Sequence, residues 1–394
     1  MTGVVIASGV RTAIGDFGGA LASVPLCDLA EQVATEAISR AGIEASDVRQ
    51  SVFGNVIHTE PRDMYLARVA AIGAGVPDRS PALTLNRLCG SGLQAVVAGT
   101  EQIMLGRADV VLAGGAESMS RVGHSVNAAR FGAKMGDVTA VDMMTGALTD
   151  PFGNGHMGIT AENVADEKGI DRATQDAFAL ESHRRAAAAI EEGRFKDQIL
   201  PVTVGKGRKE TVFDTDEHVR WPLALADLKK LRPAFRKDGS VTPGNASGIN
   251  DGAAALVLAG ADRAQGAGMP VLARVVAYGL GGVRPETMGL GPIPAVAEAL
   301  DRAGMKIEEI DCVESNEAFA AQACAVAREL SFRSEITNPN GGAIALGHPV
   351  GASGAIILVK LVYELRRTGG RYGLATMCIG GGQGIALIIE NPYA

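Results

Sequence analysis

The chain has 394 residues, more than one ordinary core holds, and its 47% apolar and 21% charged residues are those of a globular protein, so two or more domains are expected. A formal net charge of -7 speaks against a general nucleic-acid binder, which shows a basic face, while leaving room for a local patch that holds a phosphorylated small ligand. No apolar run approaches membrane-spanning length, and the opening MTGVVIASGVRTAIG lacks the pattern of a signal or transit peptide, so no membrane association is expected.

The first third alternates strands with helices. GVVIASGV reads as a strand, LCDLAEQVATEAISRAG as a helix ending on glycine, SVFGNVI as a short strand and RDMYLARVAAIGAG as a helix. LCGSGLQAVVAGTEQIMLG is a helix preceded by a glycine turn, and ADVVLAGGAES is a strand running into glycines. Such alternation predicts a mostly parallel sheet covered by helices. Scarce aromatics (4%) and 51 glycines suit closely packed α/β layers.

From about Ser118 to Ile249 the texture changes. A Met- and Gly-rich stretch gives way to a long polar helix around ATQDAFALESHRRAAAAIEEG, then to the charged segments VGKGRKETVFDTDEHVRW and LKKLRPAFRKDGS. This reads as an insertion carrying ligand-binding surface. Alternation then resumes. VLARVVAYGL is a strand, PIPAVAEALDRAG a helix, IDCVESNEAF a strand and turn, AAQACAVAREL and GASGAIILVKLVYELRRTG helices, and RYGLATMCIGGGQGIALIIE a hairpin. The order strand ending at Asn, S-G-led helix, strand entering glycines occurs near both ends, which points to an internal duplication. Two such halves packed together bring the corner holding Cys89 to the corners holding Asn316, His348 and Cys378.

The five cysteines, Cys27, Cys89, Cys312, Cys324 and Cys378, form no CxxC pair. They read as free thiols of a reducing compartment, and a cytoplasmic enzyme is expected. Cys89 stands before an expected helix, where unpaired N–H groups and the helix dipole favour a thiolate; a buried structural cysteine is the plainer reading. His348, in GGAIALGHPVGASGA, lies in a loop richer in glycine than a connection needs, and a catalytic cysteine wants an imidazole. No zinc-ligand spacing surrounds it, so no metal is expected. CIGGGQG, from Cys378, is followed by a strand-like IALIIE, which rejects a dinucleotide fingerprint and fits an oxyanion hole or a plain hairpin. Asn316 of NEAFA could cap the next helix, orient a water or bind a carbonyl oxygen.

Taken in order, NRLCGSGLQA, HMGITAEN, GNASGIND, NEAFAAQ, GGAIALGHPVGASGA and CIGGGQG resemble the thiolases along essentially the whole chain. PRDMYLARVAA and GALTDPF look most like the bacterial β-ketothiolases of polyhydroxyalkanoate metabolism. The resemblance implies an α/β thiolase fold of two similar halves in an α-β-α-β-α arrangement with a large inserted loop domain. Residues 1–118 and 250–268 would form the N-terminal domain, 119–249 the loop domain and 269–394 the C-terminal domain.

It further implies a reversible Claisen condensation of acetyl-CoA with a short acyl-CoA, by ping-pong transfer through an acyl-cysteine. Cys89 would be the nucleophile, His348 its activator, Cys378 the base at the acetyl-CoA methyl carbon, and Asn316, through a water, a partner of His348 in one oxyanion hole. The backbone N–H groups of Cys89 and Gly380 would form the other. Arg220 would lie near the CoA nucleotide, and Ala246 and Ser247 at its pantetheine arm. Leu148, His156, Met157, Phe235, Ala318 and Phe319 would line the pantetheine channel and acyl pocket. Coenzyme A is then substrate and product, with no tightly bound cofactor, and the partner is a second copy of the chain in a homotetramer.

The chain departs from the family pattern at Val350, Ser315, Pro339 and in FGNGH before Met157, the last of which puts chain length in question. The competing readings are a degradative 3-ketoacyl-CoA thiolase, a non-catalytic CoA- or lipid-binding protein on the same fold, and a cysteine hydrolase. The hydrolase would leave the second thiol unexplained.

Overall fold

The computed structural model describes residues 3–394. Strand β1 (Val4–Thr12) is buried along its whole length, as a run of small and β-branched side chains covered on both faces should be. Helix α1 (Leu26–Arg40), β2 (Gln50–Gly54), α2 (Leu66–Gly73), β3 (Ala82–Leu85), α3 (Ser91–Met104) and β4 (Val110–Ser118) follow. The insertion carries α4 (Met157–Lys168) and α5 (Arg172–Glu191). The chain returns through β5 (Asn250–Gly260), β6 (Ala273–Gly282), α6 (Pro292–Ala303), β7 (Cys312–Ser315), α7 (Ala320–Glu329) and α8 (Val350–Thr368). It ends in the hairpin of β8 (Tyr372–Ile379) and β9 (Gln383–Glu390). The segment RDMYLARVAAIGAG is not one helix: Pro61–Tyr65 form a 3-10 turn and α2 starts at Leu66.

The main sheet runs β7-β8-β9-β6-β1-β5-β4-β2-β3. The expectation of a mostly parallel sheet is corrected here. Parallel pairing joins β2 to β3 and β4, and β7 to β8, near the two edges. The pairings between β4 and β8 along this path are antiparallel. The reason is connectivity. β8 and β9 are joined by a tight turn, and β5 arrives from the insertion, not through a helical crossover from its neighbour.

The duplication is visible in the pairing. In the first half, β2 and β4 are parallel across the crossover helix α3, and β5 and β1 add antiparallel. In the second, β7 and β8 are parallel across α8, and β9 and β6 add antiparallel. The half-sheets meet where Val5 of β1 opposes Arg274 of β6. Helices α3 and α8 pack on each other and each touches strands of both halves, while α1 covers the outer face of one half and α6 that of the other. This is the α-β-α-β-α layering.

The central helices touch at glycines. A Cβ on Gly92 would lie 2.6 Å from the Ala355 nitrogen, and one on Gly354 would run into the Leu93 backbone. Backbones therefore approach as side chains would not allow, and the N-terminal ends of α3 and α8 lie together. In the insertion, α4 and α5 pack on α7. Arg11 of β1, fully buried, binds Asp216 through both guanidinium nitrogens at 2.7 and 2.9 Å, tying the charged segment to the core. Among the described residues no helix is long and apolar enough to cross a membrane.

Candidate active site

Cys89 sits in a turn between β3 and α3. Asn86 Oδ1 accepts from the Leu88 N–H at 2.8 Å, Ser91 Oγ accepts from the Arg87 N–H at 2.8 Å, and the Ser91 hydroxyl donates to the Leu88 carbonyl at 2.7 Å. These bonds hold Leu88 at a φ of 45°, a left-handed conformation costly for a leucine, and the thiol follows directly. The helix proper begins at Ser91, with Gly90 as its N-cap. A Cβ on Gly90 would lie 2.5 Å from Ile379 Cδ1, so the absence of a side chain there admits the end of β8 from the other half.

Cys89, His348, Cys378 and Gly380 all line one cavity of about 420 Å³. Leu148, His156, Met157, Arg220, Phe235, Ala246, Ser247, Ala318 and Phe319 line it too. Asn316 does not line it. It is buried behind the wall, with Nδ2 3.5 Å from His348 Nε2. Nor does it cap α7, whose N-cap is Phe319.

Burial pushes the Cys89 thiol up to about 11, against the lowering effect of the N–H groups of Gly380 and of Cys89 itself. The expected helix-end thiolate is thus corrected: desolvation outweighs the helix end, and the resting group is a thiol. Cys378, almost fully buried, is held well above the ordinary thiol range by burial first and by the neighbouring Cys89 second.

Burial lowers His348 to about 4, so its imidazole is neutral. Its tautomer follows from its neighbour. Ser353 Oγ lies 2.7 Å from His348 Nδ1 and donates its only proton to the Pro349 carbonyl at 2.9 Å. The hydroxyl oxygen must then accept from Nδ1–H, which leaves the lone pair on Nε2. The loop is fixed by Asn250, whose Oδ1 accepts from the His348 N–H at 2.9 Å and whose amide donates to the Gly15 carbonyl at 3.1 Å. Gly347 has a φ of 105°, and a Cβ there would collide with the Asn250 amide.

The remaining wall comes from the insertion and the NEAFA segment. Ala246 bridges Phe319, and the Ser247 N–H donates to the Ala318 carbonyl at 3.0 Å, so GNASG lies antiparallel along NEAFA. His156 stacks on Phe235 at 4.8 Å, and Phe235 meets Phe319 edge-on at 6.1 Å. Burial lowers the His156 pKa, and its Nδ1 accepts from the Gly158 N–H, capping α4. Of the basic segments, Arg220 reaches the cavity; Lys230 pairs with Asp227 and Arg236 with Asp166.

Several supporting residues were given no role by the sequence, although Ser353, Asn250 and Leu88 lie within its motifs. Ser353, Asn250, Leu88, Met288 and His218 are examples, the last three lining the cavity. Glu117 is another. Fully buried at the end of β4, its carboxylate accepts from Asn55 Nδ2 at 2.9 Å and from the N–H groups of Val56, Ile57 and Gly351 at 3.0, 3.1 and 2.8 Å. It so joins the loop after β2 to the start of α8. Burial still pushes it up to about 8.

The thiolase N-terminal domain family matches residues 4–262, and the thiolase C-terminal domain family matches residues 269–391. The chain is 59% identical over 390 residues to beta-ketothiolase BktB of Cupriavidus necator, covering 98% of this chain and 99% of that protein. It is 49% identical over 393 residues to an acetyl-CoA acetyltransferase of Pseudomonas aeruginosa, covering 99% and 100%. The crystal structure of human mitochondrial 3-ketoacyl-CoA thiolase is similar with a TM-score of 0.97 at 44% identity, covering 99% of each chain.

Proposed function

The chain belongs to the thiolase family, and from that premise we propose that it condenses acetyl-CoA with short acyl-CoA thioesters to 3-ketoacyl-CoA and CoA, reversibly. It is an acyltransferase of the acetyl-CoA acetyltransferase and β-ketothiolase type. The observation that carries the proposal is the presence of two thiols, Cys89 and Cys378, beside one neutral imidazole in one cavity. One thiol carries the acyl group while the other handles a proton.

The first half-reaction forms the acyl-enzyme. His348 Nε2 takes the Cys89 proton as the sulfur attacks the thioester carbonyl. The oxyanion is met by N–H groups of Cys89 and Gly380, aimed where charge develops. CoA leaves as a thiolate and takes the proton of Cys378. In the second half the Cys378 thiolate takes a proton from the methyl carbon of acetyl-CoA. A thiol held well above its ordinary range is a strong base once ionised, as a weak carbon acid demands. The enolate oxygen is stabilised by His348 and by a water held by Asn316, and the carbanion attacks the acyl carbon. Cys89 leaves as a thiolate and recovers its proton from His348. Protons balance over the cycle, and no metal or redox group enters.

Met157 and Leu88 narrow the cavity beside Gly380. Their side chains come within 3.1 and 3.2 Å of where a Cβ on that residue would stand. Arg220 would face the CoA phosphates, and Ser247 the pantetheine amides. A homotetramer is supported by the stretch after Ser120, where Phe131 and Met135 are more than nine-tenths exposed. Free thiols suit a reducing cytoplasm.

The test is CoA-dependent cleavage of acetoacetyl-CoA, 3-ketovaleryl-CoA and longer 3-ketoacyl-CoAs. The two short substrates should be cleaved best, and a preference for long ones would favour the degradative reading. Cys89→Ala should take up no acyl group. Cys378→Ala should acylate at Cys89, seen by intact mass, but fail to condense. Absence of cleavage of every 3-ketoacyl-CoA would sink the assignment.

A further inference from the structure

Behind the active cavity lies a second, small one of about 20 Å³, between the start of α8 and the segment after β7. Asn316, Ser353 and Lys360 are among its lining residues. Lys360, on α8, is 3% exposed, deep burial for a lysine. Its Nζ donates to Glu314 Oε2 at 2.7 Å and to the Gly341 carbonyl at 2.8 Å. Those bonds use two of the three N–H donors of an ammonium.

Asn316 is 2% exposed. Its Nδ2 faces His348 Nε2, and its Oδ1 is buried with no hydrogen-bond partner among the described residues. A buried carbonyl oxygen without a donor is costly, and native structures satisfy such groups with protein or with water. The cavity has room for about one water molecule, which needs two or more polar partners. One water can accept from an ammonium and donate to an amide oxygen.

We infer that this cavity holds a buried water linking the Lys360 ammonium to the Asn316 amide oxygen, and that Lys360 is a positioning residue setting which way that amide points. The role rests on the reading above, in which Asn316 donates to the water that joins His348 at the thioester oxygen. The His348 tautomer puts a lone pair on Nε2, and the water that donates to the thioester oxygen must itself accept from the amide. A flipped amide would set its oxygen against both. The water and the ammonium hold Oδ1 on the far side, so Nδ2 is the atom presented. The ion pair with Glu314 and the bond to Gly341 fix the ammonium between β7 and the loop that leads to His348.

A crystal structure of the wild-type protein at high resolution should show an ordered water within hydrogen-bonding distance of both Asn316 Oδ1 and Lys360 Nζ. A cavity without such density overturns the inference, whatever the activity. The kinetic test is the double variant Glu314→Gln with Lys360→Met, which removes the pair without stranding a buried charge. Its kcat for acetoacetyl-CoA cleavage should fall roughly tenfold at unchanged KM, less than the 10²–10³ expected for losing an oxyanion donor outright. Adding Asn316→Ala should bring no more loss than Asn316→Ala alone. A wild-type kcat, or losses that simply multiply, overturns the positioning role. Wild-type kcat in Asn316→Ala overturns the role given to Asn316, and that of Lys360 with it. Should the double variant not fold, the crystal structure still decides the water.

Discussion

Ser353 Oγ and His348 Nδ1 stand 2.7 Å apart, and because the hydroxyl already donates to the Pro349 carbonyl, the serine is an acceptor that fixes the imidazole proton on Nδ1. The basic nitrogen is thereby Nε2, on the side of Asn316. Ser353→Ala removes this control while leaving every residue assigned to the chemistry in place. We expect kcat to fall roughly tenfold to a hundredfold, part of the 10²–10⁴ that a positioned general base contributes. KM should change little. Ser353→Thr keeps the hydroxyl and should restore most of the rate; equal losses in both variants would mean that packing, not the proton, is at stake.

The resting site is a neutral thiol beside a neutral imidazole. Cys89 is pushed up to about 11 and His348 down to about 4, both by burial first. Only the thiolate is readily alkylated. Labelling of Cys89 by iodoacetamide, followed by peptide mass spectrometry in the absence of substrate, should therefore rise about tenfold per pH unit between 7 and 10. A plateau reached below pH 8 would reveal a preformed thiolate–imidazolium pair and contradict the resting state described here.

Stability should depend on pH in two opposed ways. His348 and His183 are lowered from 6.5 to about 4, the latter by burial and then by His218 and Arg220. The unfolded chain binds more protons at these sites, so their contribution is present above pH 6.5 and is lost as pH falls toward 4. Glu117 is raised from 4.5 to about 8 and Glu314 to about 7, both by burial first. The folded chain binds more protons there, so their contribution is present below 4.5 and is lost as pH rises through those values. Between 6.5 and 8 only the carboxyls act, and the melting temperature should decline. Glu117→Gln should melt lower overall, through its lost bonds, but with a flatter decline across that window. An unchanged slope would count against Glu117 as the titrating group.

Much of this was legible in the sequence, and the physical reasons divide what was from what was not. Local patterns carry periodicity, so β1, α1, α3, α6, α8 and the β8–β9 hairpin could be read from apolar spacing and glycine stops. Pairing direction is not local. β5 follows an insertion of more than a hundred residues, and nothing in NDGAAALVLAG says that it runs antiparallel between β1 and β4. The echo between the two ends led to the meeting of Cys89 with His348 and Cys378. Ser353, Asn250 and Glu117 stayed hidden because a serine, an asparagine or a glutamate is ordinary until its partners are known. The charge state of Cys89 is not legible in the sequence for a related reason. The helix end is written in the sequence, but the desolvation that outweighs it comes from the other half of the chain.

The meeting of the halves gives the last prediction. Gly354 lies on α8 where a Cβ would strike the Leu93 nitrogen and Cβ on α3, and Gly92 lies where one would come within 2.6 Å of the Ala355 nitrogen. Those obstacles are mainly backbone, which cannot rotate away as a side chain does. Gly354→Ala must therefore push the two central helices apart. An overpacked core typically loses 1–3 kcal/mol, and with backbone on both sides we expect about 3 kcal/mol here. The separation also acts at the site, because Cys89 precedes α3 and His348 precedes α8. Chemical denaturation should show the stability loss, and kcat for acetoacetyl-CoA cleavage should fall even at temperatures where the variant remains folded. Gly42, at the end of α1 with a φ of 65° and no atom near the position of a Cβ, supplies the control. Gly42→Ala strains its own backbone and should lower stability with kcat intact. If Gly354→Ala does the same, the contact between the helices holds the fold together without setting the distance between the catalytic corners.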